Sequence, residues 1–194
     1  AGTLDKPLVE LPTCVHCIVP QPARAKHCHT CGRCVRRLDH HCLWLGNCVG
    51  EGNHRLFVAY LLAQGVLLGW AALASAIALL TGERVEGTPD DAPRRPLSVW
   101  SCLAGLGCCG LCTLLFLAVA TLFGFQIMLV LRGETTWENL RRAKINEAQG
   151  LKAGVRLYDE GPARNVLIFC KCASPDKTSS AHKRSVVIQP PPAV

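Results

Sequence analysis

Two long runs without a charged residue divide the chain. Residues 56–80 are 25 consecutive uncharged residues, mostly Leu, Ala, Val and Gly, and residues 97–131 are 35. A helix rises ~1.5 Å per residue, so roughly 20 apolar residues cross the hydrocarbon core of a bilayer. Both runs are therefore predicted to be transmembrane helices. Because they are internal and long, neither is predicted to be a signal peptide.

Charged residues outside these runs predict the orientation. Residues 1–55 carry seven basic and four acidic residues, residues 132–194 carry eleven and six, and the loop 81–96 carries three and four. Lys and Arg concentrate on the cytosolic side of membrane proteins. Both ends are therefore predicted to face the cytosol and the loop to face the lumen. After the second run we expect a polar helical stretch, then an irregular basic tail with a disordered, proline-rich end.

Cysteine and histidine dominate residues 1–55, which hold seven of the thirteen cysteines but too few apolar residues for a core. Thiols stay reduced in the cytosol, which favours metal binding over disulfides. Zinc prefers four thiolate or imidazole ligands, and a Cys-x2-Cys pair brings two sulfurs to one ion. Two closed sites use eight ligands and leave one cysteine over. The nine candidate ligands are Cys14, Cys17, His27, Cys28, Cys31, Cys34, His41, Cys42 and Cys48.

The tetrad Asp39-His40-His41-Cys42 shifts the interpretation from a zinc knuckle with a spare thiol toward an enzyme. Side chains alternate along an extended segment, so His40 and Cys42 share one face and His41 points to the other. His41 is then available to zinc, and His40 can take a proton from Cys42. A free thiol of pKa ~8.5 is little ionised at neutral pH, and a neighbouring imidazole corrects this. Alternation does not bring Asp39 to His40, because that contact requires a bend.

The complete pattern is Cys14-x2-Cys17-x9-His27-Cys28-x2-Cys31-x2-Cys34-x4-Asp39-His40-His41-Cys42-x5-Cys48-x4-Asn53-x3-Phe57. It resembles the cysteine-rich domain of the DHHC palmitoyltransferases. Residues 135–138, Thr-Thr-Trp-Glu, resemble the TTxE motif of that family, and Asn165 with Phe169 resembles its C-terminal Asn/aromatic element. The family usually has Pro after the tetrad, where this chain has Leu43.

The resemblance implies an all-α polytopic membrane protein with a small cytosolic cysteine-rich domain built on two structural zinc ions. The family has four membrane helices, of which the two runs here would be the third and fourth. One zinc would be held by Cys14, Cys17, His27 and Cys34, and the other by Cys28, Cys31, His41 and Cys48. The domain order would be a zinc domain 1–55, a membrane helix 56–80, a luminal loop 81–96, a membrane helix 97–131 and a cytosolic tail 132–194.

By the same resemblance the chain is a protein S-acyltransferase. Cys42 would carry the acyl group, His40 would be the general base and Asp39 its orienting partner. The acyl donor would be a long-chain acyl-CoA such as palmitoyl-CoA. The acceptors would be cytosolic cysteines of membrane-associated proteins. The implied location is the membrane of the Golgi or the endoplasmic reticulum.

Further residues are assigned by resemblance, each with a plainer alternative. The expected lining of an acyl cavity is Trp44, Phe57, Tyr60, Leu61 and Gln64. The last four share one helix face and would otherwise serve helix packing, and the tryptophan would otherwise be an interfacial anchor. The residues expected to brace the active site are Thr135, Thr136, Glu138 and Asn165, although a Thr followed by Glu also caps a helix. The basic residues Arg24, Lys26, Arg33, Arg36 and Arg37 would contact CoA phosphates or offset the charge of zinc–thiolate sites.

A second hypothesis stays open, namely a non-catalytic, zinc-stabilised membrane adaptor that recruits partner proteins. It would bind the same two zinc ions and form no acyl-enzyme. A zinc-finger protein that binds nucleic acid is disfavoured, because two membrane runs and no recognition-helix pattern follow the cysteines. The intact tetrad favours the enzyme.

Overall fold

The computed structural model describes residues 12–82, 98–152 and 154–175. These residues form four short strands, two long helices and two shorter helices. They fall into two compact units, one that ends at Phe57 and resumes at Gln126, and one that comprises Val58–Phe125. Nearly all of the loop predicted at 81–96, and the proline-rich end, lie outside the described residues.

The cysteine-rich segment folds as two antiparallel hairpins of the same design. The strands are β1 (Lys26–Cys28), β2 (Arg33–Val35), β3 (His40–Cys42) and β4 (Asn47–Val49). β1 pairs with β2, and β3 pairs with β4. These strands are an addition to the predicted all-α fold, because strands of three residues are too short to show an alternating pattern. Such hairpins are marginal alone and need further stabilisation.

Few apolar side chains stabilise this unit. Its core consists of the buried Cys28, Leu38 and Cys48, with Val35 and Trp137 among the side chains packed against it. The main chain at Gly50 also lies close to the side chain of Val35, because an added Cβ at Gly50 would lie 2.7 Å from a methyl carbon of Val35. In a core of this size, two of the three buried residues are cysteines, so most of the stability must come from metal bound to the sulfur atoms.

The two apolar runs form the long helices α1 (His54–Thr81, 28 residues) and α2 (Val99–Leu131, 33 residues), each long and apolar enough to cross a membrane. α1 begins two residues before the uncharged run, because the carbonyl of Asn53 already accepts the N–H of Phe57 at 2.9 Å. Within Val58–Phe125 small residues bring the helices together: an added Cβ at Gly69 would lie 3.3 Å from the Phe116 ring. Their outer faces expose many large apolar side chains, as expected for contact with lipid.

Two shorter helices follow, α3 (Thr136–Ala148) and α4 (Pro162–Phe169). The expectation of an irregular tail is wrong for α4. Pro162 stands in its first turn, where a missing N–H costs no helical hydrogen bond. An eight-residue helix is too short for an apolar period to reveal it, which is why the sequence pattern missed it.

Candidate active site

Two groups of four side chains bring metal-binding atoms to within 4.8 Å of one another. The first group is Cys14, Cys17, His27 and Cys34, and the second is Cys28, Cys31, His41 and Cys48. Each hairpin sets the histidine of one group directly opposite a cysteine of the same group, His27 opposite Cys34 and His41 opposite Cys48. The interleaved grouping implied by the resemblance is therefore also the spatial grouping.

The donor chemistry of both groups fits a metal ion. The Nδ1 atom of His27 lies 3.2 Å from the sulfur of Cys17, and that of His41 lies 3.4 Å from the sulfur of Cys31. Burial and the adjacent Cys28 and Cys31 raise the pKa of Cys48 to about 12, because crowded thiolates repel one another without a cation between them. Three sulfurs and one imidazole nitrogen are the donors of a closed, four-coordinate zinc site. Each group could therefore hold one metal ion.

Cys42 belongs to neither group. It ends β3, and only 7% of the residue is exposed. Burial would raise the pKa of its thiol, but hydrogen bonds from the backbone N–H of Leu45 and from the His40 side chain outweigh burial and lower it below the ordinary value. The sulfur is thus more readily ionised than a free thiol, as a nucleophile requires.

Asp39 and His40 are joined by a short hydrogen bond. The Nδ1 atom of His40 lies 2.7 Å from Oδ2 of Asp39, so the bend that alternation alone does not supply is present. This hydrogen bond is the main reason that the pKa of His40 is raised, and the nearby Cys42 raises it further. Cys42, His40 and Asp39 are therefore connected in the order nucleophile, imidazole, carboxylate, which is the arrangement of enzymes that transfer acyl groups through a covalent intermediate.

The Asp39 carboxylate, 1% exposed, is held by residues far away in sequence. Thr136 donates its backbone N–H to Oδ1 at 2.7 Å and its hydroxyl to Oδ2 at 2.8 Å. Gln126 donates to Oδ2 at 3.1 Å. Burial would raise the pKa of Asp39, but the hydrogen bonds from His40 and Thr136 lower it to about 2. The carboxylate is therefore a fixed anion at the N-terminus of α3, where the helix dipole also favours negative charge.

Gln126 and His54 are site residues that the sequence analysis missed. The buried amide oxygen of Gln126 lies 2.8 Å from Nε2 of His54, while its nitrogen reaches Asp39. Phe169 packs edge-on against the His54 ring, with ring centroids 5.1 Å apart. A signal was available, because a glutamine inside an uncharged run is a functional candidate by default.

The Thr-Thr-Trp-Glu motif both caps α3 and braces the site, so its two interpretations are compatible. Thr135 is the N-cap: its hydroxyl accepts from the N–H of Glu138, whose carboxylate accepts from the N–H of Thr135. Arg24 donates to both oxygens of Glu138 at 2.7 Å, and its guanidinium lies 4.0 Å from the centre of the Tyr158 ring. Arg24 is thus engaged by protein groups, which argues against its assignment to CoA phosphates.

Asn165 ties α4 to the end of α2. Its side-chain nitrogen donates at 2.8 Å both to the carbonyl of Leu131 and to Asp159, and its oxygen accepts the N–H of Glu160. Gly133 passes beside it with a φ of +67°, and an added Cβ there would lie 2.6 Å from the Tyr158 carbonyl. A side chain at that position would therefore disturb the turn between α2 and α3.

Of the residues expected to line an acyl cavity, Trp44 and Phe57 lie in one compact unit, and Tyr60, Leu61 and Gln64 lie in the other. Phe57 is buried, and its ring lies edge-on to His40 with centroids 5.2 Å apart. Leu61 is buried, Gln64 is half-buried and Tyr60 is 49% exposed, all within Val58–Phe125. Trp44, 97% exposed, lies in the turn between β3 and β4 beside the exposed Leu43 and Leu45. An apolar turn of this kind fits the interfacial-anchor alternative.

Comparisons with known proteins agree with these features. A family model described as DHHC palmitoyltransferase matches residues 9–143. Palmitoyltransferase ZDHHC12 of Mus musculus is 40% identical over 179 residues, which cover 90% of this chain and 62% of that protein. Palmitoyltransferase ZDHHC5 of Homo sapiens is 30% identical over 186 residues, 94% of this chain and 23% of that protein. Palmitoyltransferase Hip14 of Drosophila melanogaster is 30% identical over 162 residues, 82% and 25% respectively. The chain thus spans less than two thirds of the length of each of these relatives.

Proposed function

The chain belongs to the DHHC palmitoyltransferase family, and from this membership we propose that it transfers a long-chain fatty acyl group from acyl-CoA to cysteines of other proteins. One observation supports the proposal most. Cys42 lies outside both metal-binding groups, its pKa is lowered, and His40 connects it to the buried Asp39. A non-catalytic adaptor has no need of an ionisable thiol in such a position.

The reaction proceeds in two balanced steps. The thiolate of Cys42 attacks the carbonyl carbon of the acyl-CoA thioester, the bond to the CoA sulfur breaks, and CoA leaves with a proton from His40. A substrate cysteine then gives its proton to His40 and attacks the acyl group, which releases Cys42 as a thiolate. One thioester replaces another at each step, so the protein has mainly to ionise and align the sulfur atoms.

Asp39 acts through His40. Its carboxylate holds the proton of His40 on Nδ1, which leaves Nε2 for the sulfur, and it stabilises the imidazolium that forms in each step. Thr136 and Gln126 supply the hydrogen bonds that keep this carboxylate ionised in a buried place. Thr135, Glu138 and Asn165 hold α3 and α4 around that arrangement.

Two zinc ions are assigned to the two four-residue groups. Both would be structural, because thiolate and imidazole donors fill all four positions of each. Bound zinc supplies folding free energy to a segment with little apolar core and takes no part in the acyl transfer. His41 is thereby committed to metal, and its neighbours His40 and Cys42 remain free for catalysis.

By the family resemblance, the acyl chain is assigned to Phe57, Tyr60, Leu61 and Gln64, which recur at helical spacing along α1. Burial of each methylene contributes ~0.8 kcal/mol, so a long chain binds strongly. By the same resemblance Trp44 is assigned to the acyl chain as well, with an interfacial anchor as the alternative role. α1 and α2 are assigned to the bilayer as the third and fourth of four membrane helices, with residues 81–96 on the luminal side and the zinc domain and tail in the cytosol of the Golgi or endoplasmic reticulum.

The test is formation of an acyl-enzyme. The purified full-length protein, incubated with labelled palmitoyl-CoA, is expected to gain a label that hydroxylamine removes. Cys42→Ser should lose the label, and the exposed Cys172→Ser should keep it. Metal analysis of the same samples, after a weak chelator has removed loosely bound metal, should find two zinc ions in every variant. Label that persists on Cys42→Ser would refute the assignment, and two zinc ions with no label on any variant would favour the adaptor.

A further inference from the structure

A third group of potential metal ligands lies outside the described active-site network. His16, His27 and His29 offer imidazole nitrogens that all lie within 4.8 Å of one another. Their ring centroids are 4.6 Å apart for His16 and His27, 4.8 Å for His16 and His29, and 5.1 Å for His27 and His29. Neither His16 nor His29 belongs to a four-residue group, so the function proposed above leaves both unexplained.

The two metal-binding groups fix where these rings stand. His16 lies between Cys14 and Cys17 of the first group, in a turn closed by the hydrogen bond from the Ile18 N–H to the Cys14 carbonyl. His29 follows Cys28 of the second group, at the end of β1. Each histidine is therefore held beside a ligand of a different ion, and filling both groups would preorganise the three rings.

From this geometry we propose that His16, His27 and His29 form a labile surface site for a transition-metal ion such as Zn²⁺. Imidazole nitrogens suit Zn²⁺, Cu²⁺ and Ni²⁺, and three of them leave at least one coordination position to water. His16 and His29 are exposed and His27 is half-buried, so an ion reaches the site directly from solvent. The inference concerns metal occupancy and does not depend on acyl transfer.

His27 is shared between this site and the first four-residue group. Its Nδ1 faces the sulfurs of Cys17 and Cys14, at 3.2 and 3.7 Å, so only Nε2 on the other edge of the ring is available to the third ion. The third ion shares His27 with the first group and has only three protein ligands, so it is held more weakly than the ions of the two closed groups.

Zinc stoichiometry tests the proposal on the full-length protein in detergent. The protein is loaded with zinc, dialysed against buffered micromolar free Zn²⁺, and analysed for metal and protein. The unaltered chain is expected to bind three equivalents, of which a weak chelator removes one, and the double variant His16→Gln/His29→Gln is expected to bind two. His182→Gln is the matched control and should bind three. Absence of a third equivalent from the unaltered chain, or its persistence in the double variant, would overturn the proposal.

A second measurement uses the unaltered chain, so its result does not depend on whether a variant folds. Diethyl pyrocarbonate modifies free imidazoles, and peptide mass spectrometry reports the rate at each histidine. Raising free Zn²⁺ from the level that fills only the closed groups to the micromolar range should slow modification of His16 and His29 severalfold and leave His182 unchanged. Equal rates at His16 and His29 under the two conditions would refute the site.

Discussion

Two buried carboxylates, Asp39 and Glu138, stand at the N-terminus of the same helix and differ in what they hold. Asp39 reaches the start of α3 from the cysteine-rich segment and accepts hydrogen bonds from Thr136. Glu138 belongs to α3 itself and accepts the N–H of Thr135 within the capping box. Both anions benefit from the helix dipole and from backbone donors. The surroundings of the two carboxylates are thus similar on the helix side.

Their cationic partners differ. Asp39 pairs with His40, an imidazole that can gain and lose a proton and whose pKa is raised chiefly by its hydrogen bond to Asp39 and further by the nearby Cys42. Glu138 pairs through two parallel hydrogen bonds with Arg24, which stays charged at every relevant pH. The cationic partner therefore decides the role of a buried carboxylate. One anion can serve proton transfer, and the other can only clamp two segments together.

The largest expected effect is that of Asp39→Asn on the rate of acyl transfer. The amide no longer stabilises the imidazolium of His40 and no longer selects its tautomer, so the formation of acyl-Cys42 should slow by about a hundred- to ten-thousand-fold. Rapid-quench measurement of labelled acyl-enzyme gives this rate. Glu138→Gln is the matched control, expected to slow the same step less than about tenfold. Similar acylation rates for the two variants would contradict the claim that Asp39, and not Glu138, takes part in catalysis.

Glu138→Gln should instead have its main effect on stability. It leaves Arg24 charged and unpaired in a site where the two side chains are only 16% and 11% exposed, and we expect a loss of about 3 kcal/mol in the free energy of unfolding. Denaturant titration followed by Trp fluorescence measures it. The double variant Arg24→Gln/Glu138→Gln removes the orphan charge and should recover part of the loss. If the double variant loses as much free energy of unfolding as Arg24→Gln and Glu138→Gln lose in sum, the two side chains are not coupled.

Substitutions of the adjacent Thr135 and Thr136 should separate an effect on the acylation rate from an effect on stability. Both effects should be smaller than those of the carboxylate variants. Thr136→Ala removes the hydroxyl that donates to Asp39 at 2.8 Å, and the acylation rate should fall about tenfold. The lost hydrogen bond to a buried anion should also lower the free energy of unfolding by about 1.5–3 kcal/mol. Thr135→Ala removes the N-cap of α3 and should cost about 1 kcal/mol in stability without a change in rate. Thr136→Ser keeps the hydroxyl and should restore most of the rate. Equal effects of Thr135→Ala and Thr136→Ala on both quantities would contradict the assignment.

The smallest expected effect is a shift in the pH dependence of the acylation rate when Asp39 is replaced by Asn. Asp39, with a pKa of about 2, stays ionised throughout any practical assay, so the acid limb of the acylation rate reports Cys42. The lowered pKa of Cys42 sets that limb below the pH at which an ordinary thiol ionises. Asp39→Asn lowers the pKa of His40, weakens its hold on the thiolate, and should move the limb to higher pH. Glu138→Gln should leave it in place, and a shift in both variants would indicate a general disturbance.

The candidate site divides into features that local sequence reveals and features that it hides. The Cys and His positions of both metal-binding groups could be recognised because ligands of one ion recur at short intervals and turns bring them together. The contacts of Asp39 could not be read from local spacing, because Thr136 and Gln126 follow it by 97 and 87 positions, and of these two the family resemblance indicates only Thr136 as a bracing residue. The pair of Arg24 and Glu138 spans 114 positions and was hidden for the same reason. Strands of three residues and the short α4 carry too few positions for a periodic pattern.

By itself the sequence determined the two apolar runs, the number of metal ligands and the surplus of one cysteine over what two closed groups require. Those are properties of composition and short-range spacing, which do not depend on how the rest of the chain folds. Only the tertiary structure decided that Gln126 reaches out of an apolar helix to Asp39, that Arg24 clamps Glu138, and that Trp44 points to the surroundings. Such contacts join segments whose approach depends on every intervening turn and helix, so no local pattern encodes them.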